Sequence, residues 1–348
     1  MEKKYTLREL SRYRSGTFAE VLYRNATLYP DTEVFVCEEK RVTFKGFNKR
    51  SNQVANRLRN NGVEKGAVIG ILSWNRLEYA EVYGAAMKGG YILAHLNPRL
   101  NSQELKYLIN DSESVVLFME IEFIPLVDQI KDQLDKLDQI VVFDGASQGV
   151  TSYQEFVEHS SEEEPAVDIR LTDPLTIIYT SGTTGVPKGA LYTHGQKMDS
   201  TVYKALDLGV RLFDRHLLIL PMFHIGGDSH IWPFFIKGGC NVIVPSPAFK
   251  PESALSAIEK ENITDVQIVP TQLVALINFP DVKKYALKTL KRIWYAASPM
   301  PVEILKKGIS IFGPIFMQGY GQTESGPHTT VLHQVNHTAS RIEKYPHV

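Results

Sequence analysis

Hydrophobic and polar positions along this chain repeat with two periods, which together predict an α/β fold. Runs of four or five mostly apolar residues, typical of buried strands, occur at positions 68–72, 115–118 and 292–296. Between such runs, apolar residues recur at helical spacing, as in the segment 47–60. Strands that alternate with helices predict layered αβα subdomains with largely parallel sheets.

One polar stretch interrupts this alternation near the middle of the chain. Residues 147–173 are rich in polar and acidic side chains, including two serines and three glutamates at 160–164. We interpret the stretch as a solvated surface connection, in preference to a regulatory acidic patch. It divides the chain into a first α/β subdomain at 1–170 and a second at 171–348.

Composition narrows the classes of function. The 348 residues carry 38 Lys and Arg against 39 Asp and Glu, a net charge of −1, so no basic surface predicts nucleic-acid binding. No run approaches the ~18 apolar residues of a membrane helix, although contact with a membrane stays open if the substrate is a lipid. Two distant cysteines predict free thiols in a reducing cytosol, so we expect a cytoplasmic protein.

The most informative motif follows the apolar run 175–179. It combines small hydroxyl residues, three glycines and a lysine in the order Tyr179-Thr180-Ser181-Gly182-Thr183-Thr184-Gly185-Val186-Pro187-Lys188-Gly189. Glycine lets the backbone approach an anion, hydroxyl and N–H groups donate hydrogen bonds, and lysine supplies positive charge. The loop therefore predicts a polyphosphate site, and a flexible Gly/Ser/Thr linker is the weaker alternative. It is not a Walker loop, because Pro187 precedes Lys188 and Gly189 follows it.

A second motif lies at 318–325, where an apolar strand at 315–317 is predicted to enter a glycine-rich turn. Glu324 offers the hard oxygen that Mg²⁺ prefers, and Tyr320 offers a ring face to a planar base. Thr323 is placed to bond a phosphate. In isolation, Glu324 could equally be a surface carboxylate and Tyr320 a core ring.

The loop and the Tyr-Gly-x-Thr-Glu sequence at 320–324 resemble motifs of the AMP-forming acyl-adenylating enzymes. That family includes acyl- and aryl-CoA synthetases, firefly luciferase and the adenylation domains of peptide synthetases. The resemblance runs from about residue 16 to residue 341 and departs from the family pattern at Ala67 and His95. It implies the N-terminal domain of the adenylating-enzyme fold, with ATP, Mg²⁺ and CoA as cofactor and co-substrates.

The resemblance also implies roles for individual residues. Catalytic roles fall to Lys188, Thr184, Glu324 and His224, and Thr184 and Glu324 would hold the metal. The residues that would bind the nucleotide are Thr180, Ser181, Gly182, Thr183, Thr184, Gly185, Lys188, Ala297, Ser298, Gly319, Tyr320, Gly321, Gln322 and Thr323.

The acid would bind beside the segment 220–227. His224 matches the family's position next to the acyl pocket, where it would line or gate that pocket, and a satisfied core histidine is the alternative. Gly226 and Gly227 are expected to leave room for an acyl chain or ring. We interpret Trp232 and Trp294 as packing residues, as we do His230.

These expectations describe an acid–CoA ligase that converts a fatty or aromatic acid to acyl-AMP and then to a CoA thioester. An amino-acid adenylation domain, a luciferase-like oxygenase and a non-catalytic nucleotide-binding relative remain alternatives, and a homodimer stays open. Because the family continues well past its Tyr-Gly-x-Thr-Glu motif, we expect the mobile C-terminal domain to be absent. The chain would then be impaired or inactive alone.

Overall fold

The chain folds into two α/β units, each built on its own sheet. The structure, a computed structural model, describes residues 16–145, 149–180, 185–245, 247–338 and 341. Unit 1 comprises the described residues of Met1–Glu33 and Val42–Asp199, and unit 2 comprises those of Val34–Arg41 and Ser200–Val348.

The strands are mostly short, and most of them coincide with apolar runs of the sequence. In chain order they are β1 (Glu33–Cys37), β2 (Lys40–Thr43), β3 (Val68–Leu72), β4 (Ile92–Leu96), β5 (Ser114–Met119), β6 (Gln139–Val142), β7 (Thr151–Ser152), β8 (Pro174–Thr180), β9 (Lys188–Thr193), β10 (Arg215–Leu218), β11 (Cys240–Ile243), β12 (Asp265–Ile268), β13 (Arg292–Tyr295), β14 (Phe316–Gln322) and β15 (Gly326–Leu332).

Helices separate most of these strands, which is why the strands pair largely in parallel. They are α1 (Phe18–Leu28), α2 (Phe44–Asn60), α3 (Leu77–Gly89), α4 (Ser102–Asp111), α5 (Ile124–Val127), α6 (Tyr153–Val157), α7 (His194–Leu208), α8 (Ile225–Ile236), α9 (Pro251–Lys260), α10 (Pro270–Ile277) and α11 (Val302–Phe312).

Unit 1 holds a seven-stranded sheet in the order β7-β6-β5-β3-β4-β8-β9. Its strands are parallel except for β9, which runs antiparallel to β8. The central strands are almost wholly buried, which matches a sheet covered by helices on both faces. The predicted layered α/β architecture is confirmed.

Unit 2 holds an eight-stranded sheet in the order β15-β14-β13-β12-β10-β11-β1-β2. The strands from β14 to β1 are parallel, and β15 returns antiparallel to β14. One face packs on α9, α10 and α11 through buried residues such as Leu217, Leu255, Ile268, Leu273 and Ile293.

The division between the units differs from the boundary placed at 170/171. The units divide at 199/200, because β8 joins the first sheet in parallel with β4 and β9 extends that sheet. The segment 34–41 returns to unit 2, where β1 pairs with β11.

The acidic stretch at 160–164 is held by side chains of α2. Asn52 and Asn56 donate to backbone oxygens of this segment, and Asn48 donates to Glu164. Glu164 also accepts from Lys88 at 2.6 Å. Because these asparagines recur every four residues, they form one face of the helix. The stretch lies at the surface, as predicted, but it is fixed in place.

The cap of α4 and the two cysteines can also be compared with the sequence predictions. Asn101 caps α4 through a capping box with Glu104, so Ser102 is the first helical residue. Cys37 and Cys240 are free thiols, as predicted, and both are buried. Within the described ranges no helix is both long and apolar enough to cross a membrane.

Candidate functional site

A β-hairpin of unit 1 presents the predicted phosphate loop. Thr180 on β8 lies directly opposite Lys188 on β9, and its hydroxyl donates to the Lys188 carbonyl oxygen at 3.5 Å. Gly185 has a φ of +82°, in the left-handed region that glycine favours. Lys188 is exposed at the base of the loop, so its ammonium is accessible to an anion.

The central part of that loop lies outside the described residues. The phosphate contacts predicted for Ser181, Gly182, Thr183 and Thr184 therefore stay predictions, as does the metal role of Thr184. The hairpin that carries the loop is closely packed, since a Cβ on Gly189 would lie 2.7 Å from Ile177.

Two tyrosines fix both ends of the loop to α4. The Tyr179 hydroxyl donates to Asp111 Oδ2 at 2.8 Å, just before the loop begins. The Tyr107 hydroxyl lies 3.3 Å from the Pro187 carbonyl oxygen, just before the loop ends. The sequence analysis missed these anchors, although Tyr107 and Asp111 stand four residues apart, on one face of a helix. Burial, followed by Asp111, raises the pKa of Tyr179, so its hydroxyl keeps its proton.

In unit 2, predicted site residues lie at or just after the carboxyl ends of parallel strands. His224 follows β10, Ala297 and Ser298 follow β13, and Tyr320 lies near the end of β14. These strands are parallel neighbours or next neighbours in the sheet, so their carboxyl ends meet at one edge. Ligands bind at such edges in open α/β sheets.

Backbone strain marks the segment after β13. Ala297 has a φ of +75°, which an alanine adopts only at a cost of order 1 kcal/mol. Ala297 and Ser298 are both exposed. Just before them, the Tyr295 hydroxyl lies 2.9 Å from His337 Nε2. An exposed, strained segment of small residues at a strand end suits close approach of a flat ligand.

The glycine-rich motif after residue 317 is a strand and not the turn that the sequence predicted. β14 continues through Gln322 and pairs antiparallel with β15, with an irregularity between Tyr320 and Gln322. The glycines serve close packing, because a Cβ on Gly319 would lie 2.1 Å from Trp294 and one on Gly321 2.4 Å from a backbone oxygen.

The turn between β14 and β15 carries the predicted phosphate and metal residues. Thr323 is buried, whereas Glu324 and the Tyr320 ring are exposed, the ring by 61%. The core-ring alternative for Tyr320 is therefore wrong. One accessible carboxylate fits Mg²⁺, which usually takes one or two carboxylates together with phosphate oxygens.

His224 has a structural role that the sequence analysis did not foresee. It is the N-cap of α8, and its Nδ1 accepts from the Gly226 N–H at 3.1 Å. Because its side chain is exposed, the satisfied-core alternative is wrong.

The expected room beside Gly227 is wrong. A Cβ on Gly227 would lie 2.1 Å from the Pro221 carbonyl oxygen, so this glycine packs against backbone. A Cβ on Gly226 would lie 3.6 Å from the Gln267 amide nitrogen, so a polar side chain borders that position.

A profile of the family described as AMP-binding enzymes matches residues 22–348. The chain belongs to the AMP-binding enzyme family.

Members of this family with named activities align with most of the chain. A long-chain-fatty-acid–CoA ligase from Thermus thermophilus is 30% identical over 88% of this chain and 57% of its own length. An indoleacetate–CoA ligase from Aromatoleum aromaticum is 30% identical over 89% of this chain and 60% of its own. The chain thus spans less than two thirds of the length of these relatives.

Solved structures show the same fold. The inhibitor-bound N-terminal domain of FACL13 from Mycobacterium tuberculosis superposes with a TM-score of 0.85 at 28% identity, over 92% of this chain and 79% of that one. The family match and the observed α/β architecture are therefore consistent with each other.

Within this AMP-binding chain, unit 2 also contains a buried polar network that the sequence analysis missed. Asp265 accepts from Arg292 at 2.9 Å and lies 2.7 Å from His230 Nε2. Ligand atoms of His216, His230 and Asp265 come within 4.8 Å of one another. Arg292 already occupies one oxygen of Asp265, so we interpret the cluster as an ion-pair network and not as a metal site.

Proposed function

We propose that this chain carries the adenylation step of an acid–CoA ligase. A carboxylic acid, fatty or aromatic, would attack the α-phosphate of ATP through a carboxylate oxygen. A new bond joins that oxygen to the α-phosphorus, the bond to the β-phosphate breaks, and pyrophosphate leaves with its electrons. In the complete enzyme, CoA would then take the acyl group as a thioester and release AMP. We place this reaction in the cytoplasm, where ATP and CoA are available.

The observation that carries the proposal is the hairpin of unit 1. It presents the exposed Lys188 beside a loop whose two ends are anchored by Tyr179 and Tyr107. A cation held close to a phosphate can stabilise the charge that develops on it during transfer. The carboxylate needs no general base, because it is ionised at neutral pH.

The resemblance to the family also assigns nucleotide contacts to residues of unit 2. Tyr320 would stack on adenine, the strained Ala297 segment would border it, and Thr323 would bond the α-phosphate. Glu324 would contribute a carboxylate to Mg²⁺, which neutralises phosphate charge when bound. The relatives that carry CoA-ligase names support the proposed reaction.

The amino-acid alternative is less well supported. Such an enzyme needs a carboxylate that faces the substrate's ammonium group. Asp228, the residue considered for that role, is 1% exposed and accepts from the Trp232 indole at 3.1 Å. Its carboxylate is directed into packing within unit 2.

ATP–pyrophosphate exchange tests the proposal directly. Wild-type chain is assayed with fatty, aromatic and amino acids, beside Lys188→Ala and the control Lys136→Ala. Lys136 is also an exposed lysine of unit 1, paired with Glu113. We expect weak exchange with at least one acid, since the chain alone is expected to be impaired, a loss of about 10²-fold or more in Lys188→Ala, and no change in Lys136→Ala. Equal exchange in wild type and Lys188→Ala would overturn the role of Lys188.

A further inference from the structure

Lys204 is a lysine of α7 that the adenylation step does not use, and it is completely buried at 0% exposure. Its Nζ donates to Ser229 Oγ at 3.3 Å and to Gln267 Oε1 at 3.2 Å. It also lies 5.1 Å above the ring of Trp294. A lysine is rarely fully buried unless a carboxylate pairs with it.

No carboxylate among the residues that the structure describes forms an ion pair with Lys204. The nearest one that influences it is Asp265, whose oxygens are already engaged by His230 and Arg292. Burial lowers the pKa of Lys204 to about 7, with Asp265 opposing that change. The ammonium is thus left with neutral partners, which is costly for a buried charge.

Donors around Lys204 outnumber the acceptors. An ammonium has three N–H donors, and two of them are accepted by Ser229 and Gln267. The indole nitrogen of Trp294 is buried and has no acceptor in the described part of the chain. His328, whose ring packs edge-on against Trp294 at 6.5 Å, is neutral and donates to the Ser200 backbone, so its unpartnered buried Nδ1 is an acceptor. The four N–H donors of Lys204 and Trp294 still exceed the three acceptors on Ser229, Gln267 and His328. Such a set suits a ligand group that is rich in acceptor oxygens.

This cluster adjoins the residues that we assign to the acid and the adenylate. Gln267 reaches from Lys204 to the position beside Gly226, the residue whose N–H is bonded to His224. Trp294 lies directly under Gly319 of β14. The Gln267 side chain therefore connects the position beside Gly226 with the Lys204 ammonium.

We propose that Lys204 binds a second carboxylate of the acid substrate, so that the substrate is a dicarboxylic acid. The inference rests on the proposed adenylation function and specifies its substrate class. A wholly apolar tail in this position would leave the Lys204 and Trp294 donors unpaired, which a hydrogen-bonding site penalises by up to about 10⁴-fold. A second carboxylate would supply both the missing charge and the missing acceptors.

A pH dependence follows from the groups that face Lys204. Burial lowers the pKa of His216 to about 3 and of His328 to about 4, and that of His230 well below its usual value, so these rings stay neutral near pH 7. Asp265 is already paired. A carboxylate that binds beside Lys204 stabilises its charged form, so binding takes up a proton above about pH 7. Affinity for a dicarboxylic acid should therefore fall as the pH rises above 7.

Calorimetric titration with matched acids tests this inference. The probes are pairs that differ by one carboxylate: hexanoate and adipate, octanoate and suberate, benzoate and terephthalate. The proteins are wild type, Lys204→Met and the control Lys197→Met, which removes another buried lysine of α7 that stacks on a tyrosine. We expect one diacid to bind at least about tenfold tighter than its partner, a preference lost only in Lys204→Met. Titrations at pH 8 in two buffers of different ionisation enthalpy should show proton uptake.

Each outcome decides between the two proposals. Equal binding of diacid and monoacid, no binding of any acid, or a preference that survives in Lys204→Met would overturn the role of Lys204. If that variant does not fold, proton uptake by the wild type decides, and its absence overturns the inference. Pyrophosphate exchange is measured in parallel: exchange without a diacid preference rejects only this inference. Diacid binding that depends on Lys204, without exchange for any acid, rejects the adenylation proposal for this chain.

Discussion

The strands of the two sheets bury polar side chains in different ways. In the sheet of unit 1, His95 of β4 belongs to a neutral pair: the Tyr79 hydroxyl lies 2.5 Å from His95 Nδ1, with both residues at most 2% exposed. Burial raises the pKa of Tyr79 and lowers that of His95, so both stay uncharged. The pair therefore avoids the cost of a buried charge.

Unit 2 instead buries formal charges. Asp265 and Arg292 form an ion pair at 2.9 Å, and Arg292 also pairs with Asp214 at 2.8 Å. All three side chains are at most 9% exposed. Buried ion pairs contribute little net stability, since desolvation offsets most of their attraction. Stability alone therefore does not explain why these ion pairs are buried in unit 2.

That explanation lies in the sheet register. Asn241, His216, Asp265 and Arg292 stand at the same level on four adjacent strands, β11, β10, β12 and β13. Because side chains alternate between faces, a slip of one residue would move a charge to the opposite face, away from its partner. We infer that this polar row fixes the register of the strands whose ends carry the candidate site, whereas the described strands of the unit 1 sheet bury no charged side chain.

Replacement of Arg292 by Met should produce the largest effect. It leaves Asp265 and Asp214 buried without their common partner, which costs about 3–5 kcal/mol. The measurement is the free energy of unfolding of unit 2 in urea. In a Trp74→Phe background, tryptophan fluorescence comes only from unit 2, through Trp232 and Trp294.

The matched control for that prediction is an exposed arginine. Arg170 pairs with Asp168 at 3.1 Å, and both side chains are more than 70% exposed. Exposed pairs contribute about 0–1 kcal/mol, so Arg170→Met should have little effect. Similar costs for the two variants would show that the polar row is no more important than a surface pair.

The sequence predicted the strands of both sheets better than it predicted this row. Continuous apolar runs such as Val68–Leu72 were recognised because only a buried strand needs them. Asp265 and Arg292 are the first residues of β12 and β13, and a charged residue at a strand start usually faces solvent. Their pairing depends on which strands become neighbours, and that information is not local.

The candidate site shows the same limit. The two motifs were identified from residue types, but β9 was missed because Lys188 and Gly189 are exposed and polar for an edge strand. The glycines of β14 suggested a turn, whereas their absence of a side chain serves packing against Trp294 and β15. Both features depend on contacts between segments and not on the local pattern.

A change in pH should have an effect of intermediate size on stability, and this effect should be confined to unit 2. The pKa of Lys204 is lowered by burial to about 7, below the unfolded value of about 10.4. Between pH 7 and 9 the unfolded chain therefore holds a proton that the folded one releases, so the stability of unit 2 rises with pH, by about 2 kcal/mol. Lys204→Met should remove this rise.

Hydrogen exchange measured by mass spectrometry at pH 7, 8 and 9, corrected for the intrinsic pH dependence, reports both units in one experiment. Protection of β12 and β13 should grow with pH in wild type and stay constant in Lys204→Met, with β3 and β4 of unit 1 as the internal reference. A rise that persists in the variant would assign the pH dependence to another group.

The smallest effect is expected in unit 1. Tyr79→Phe removes the hydroxyl that bonds His95 Nδ1, and His95 Nε2 has no other partner among the residues that the structure describes. Leaving one neutral buried ring nitrogen unpaired costs about 1 kcal/mol, well below the cost of an unpaired buried charge. The free energy of unfolding in urea, monitored by hydrogen exchange in β3 and β4, measures this cost. The exposed Tyr107→Phe is the control. Tyr79→Phe could prove to lower the free energy of unfolding as much as Arg292→Met. Burying a charged group would then cost no more than burying a neutral one, and the inference that charges fix the strand register would lose its support.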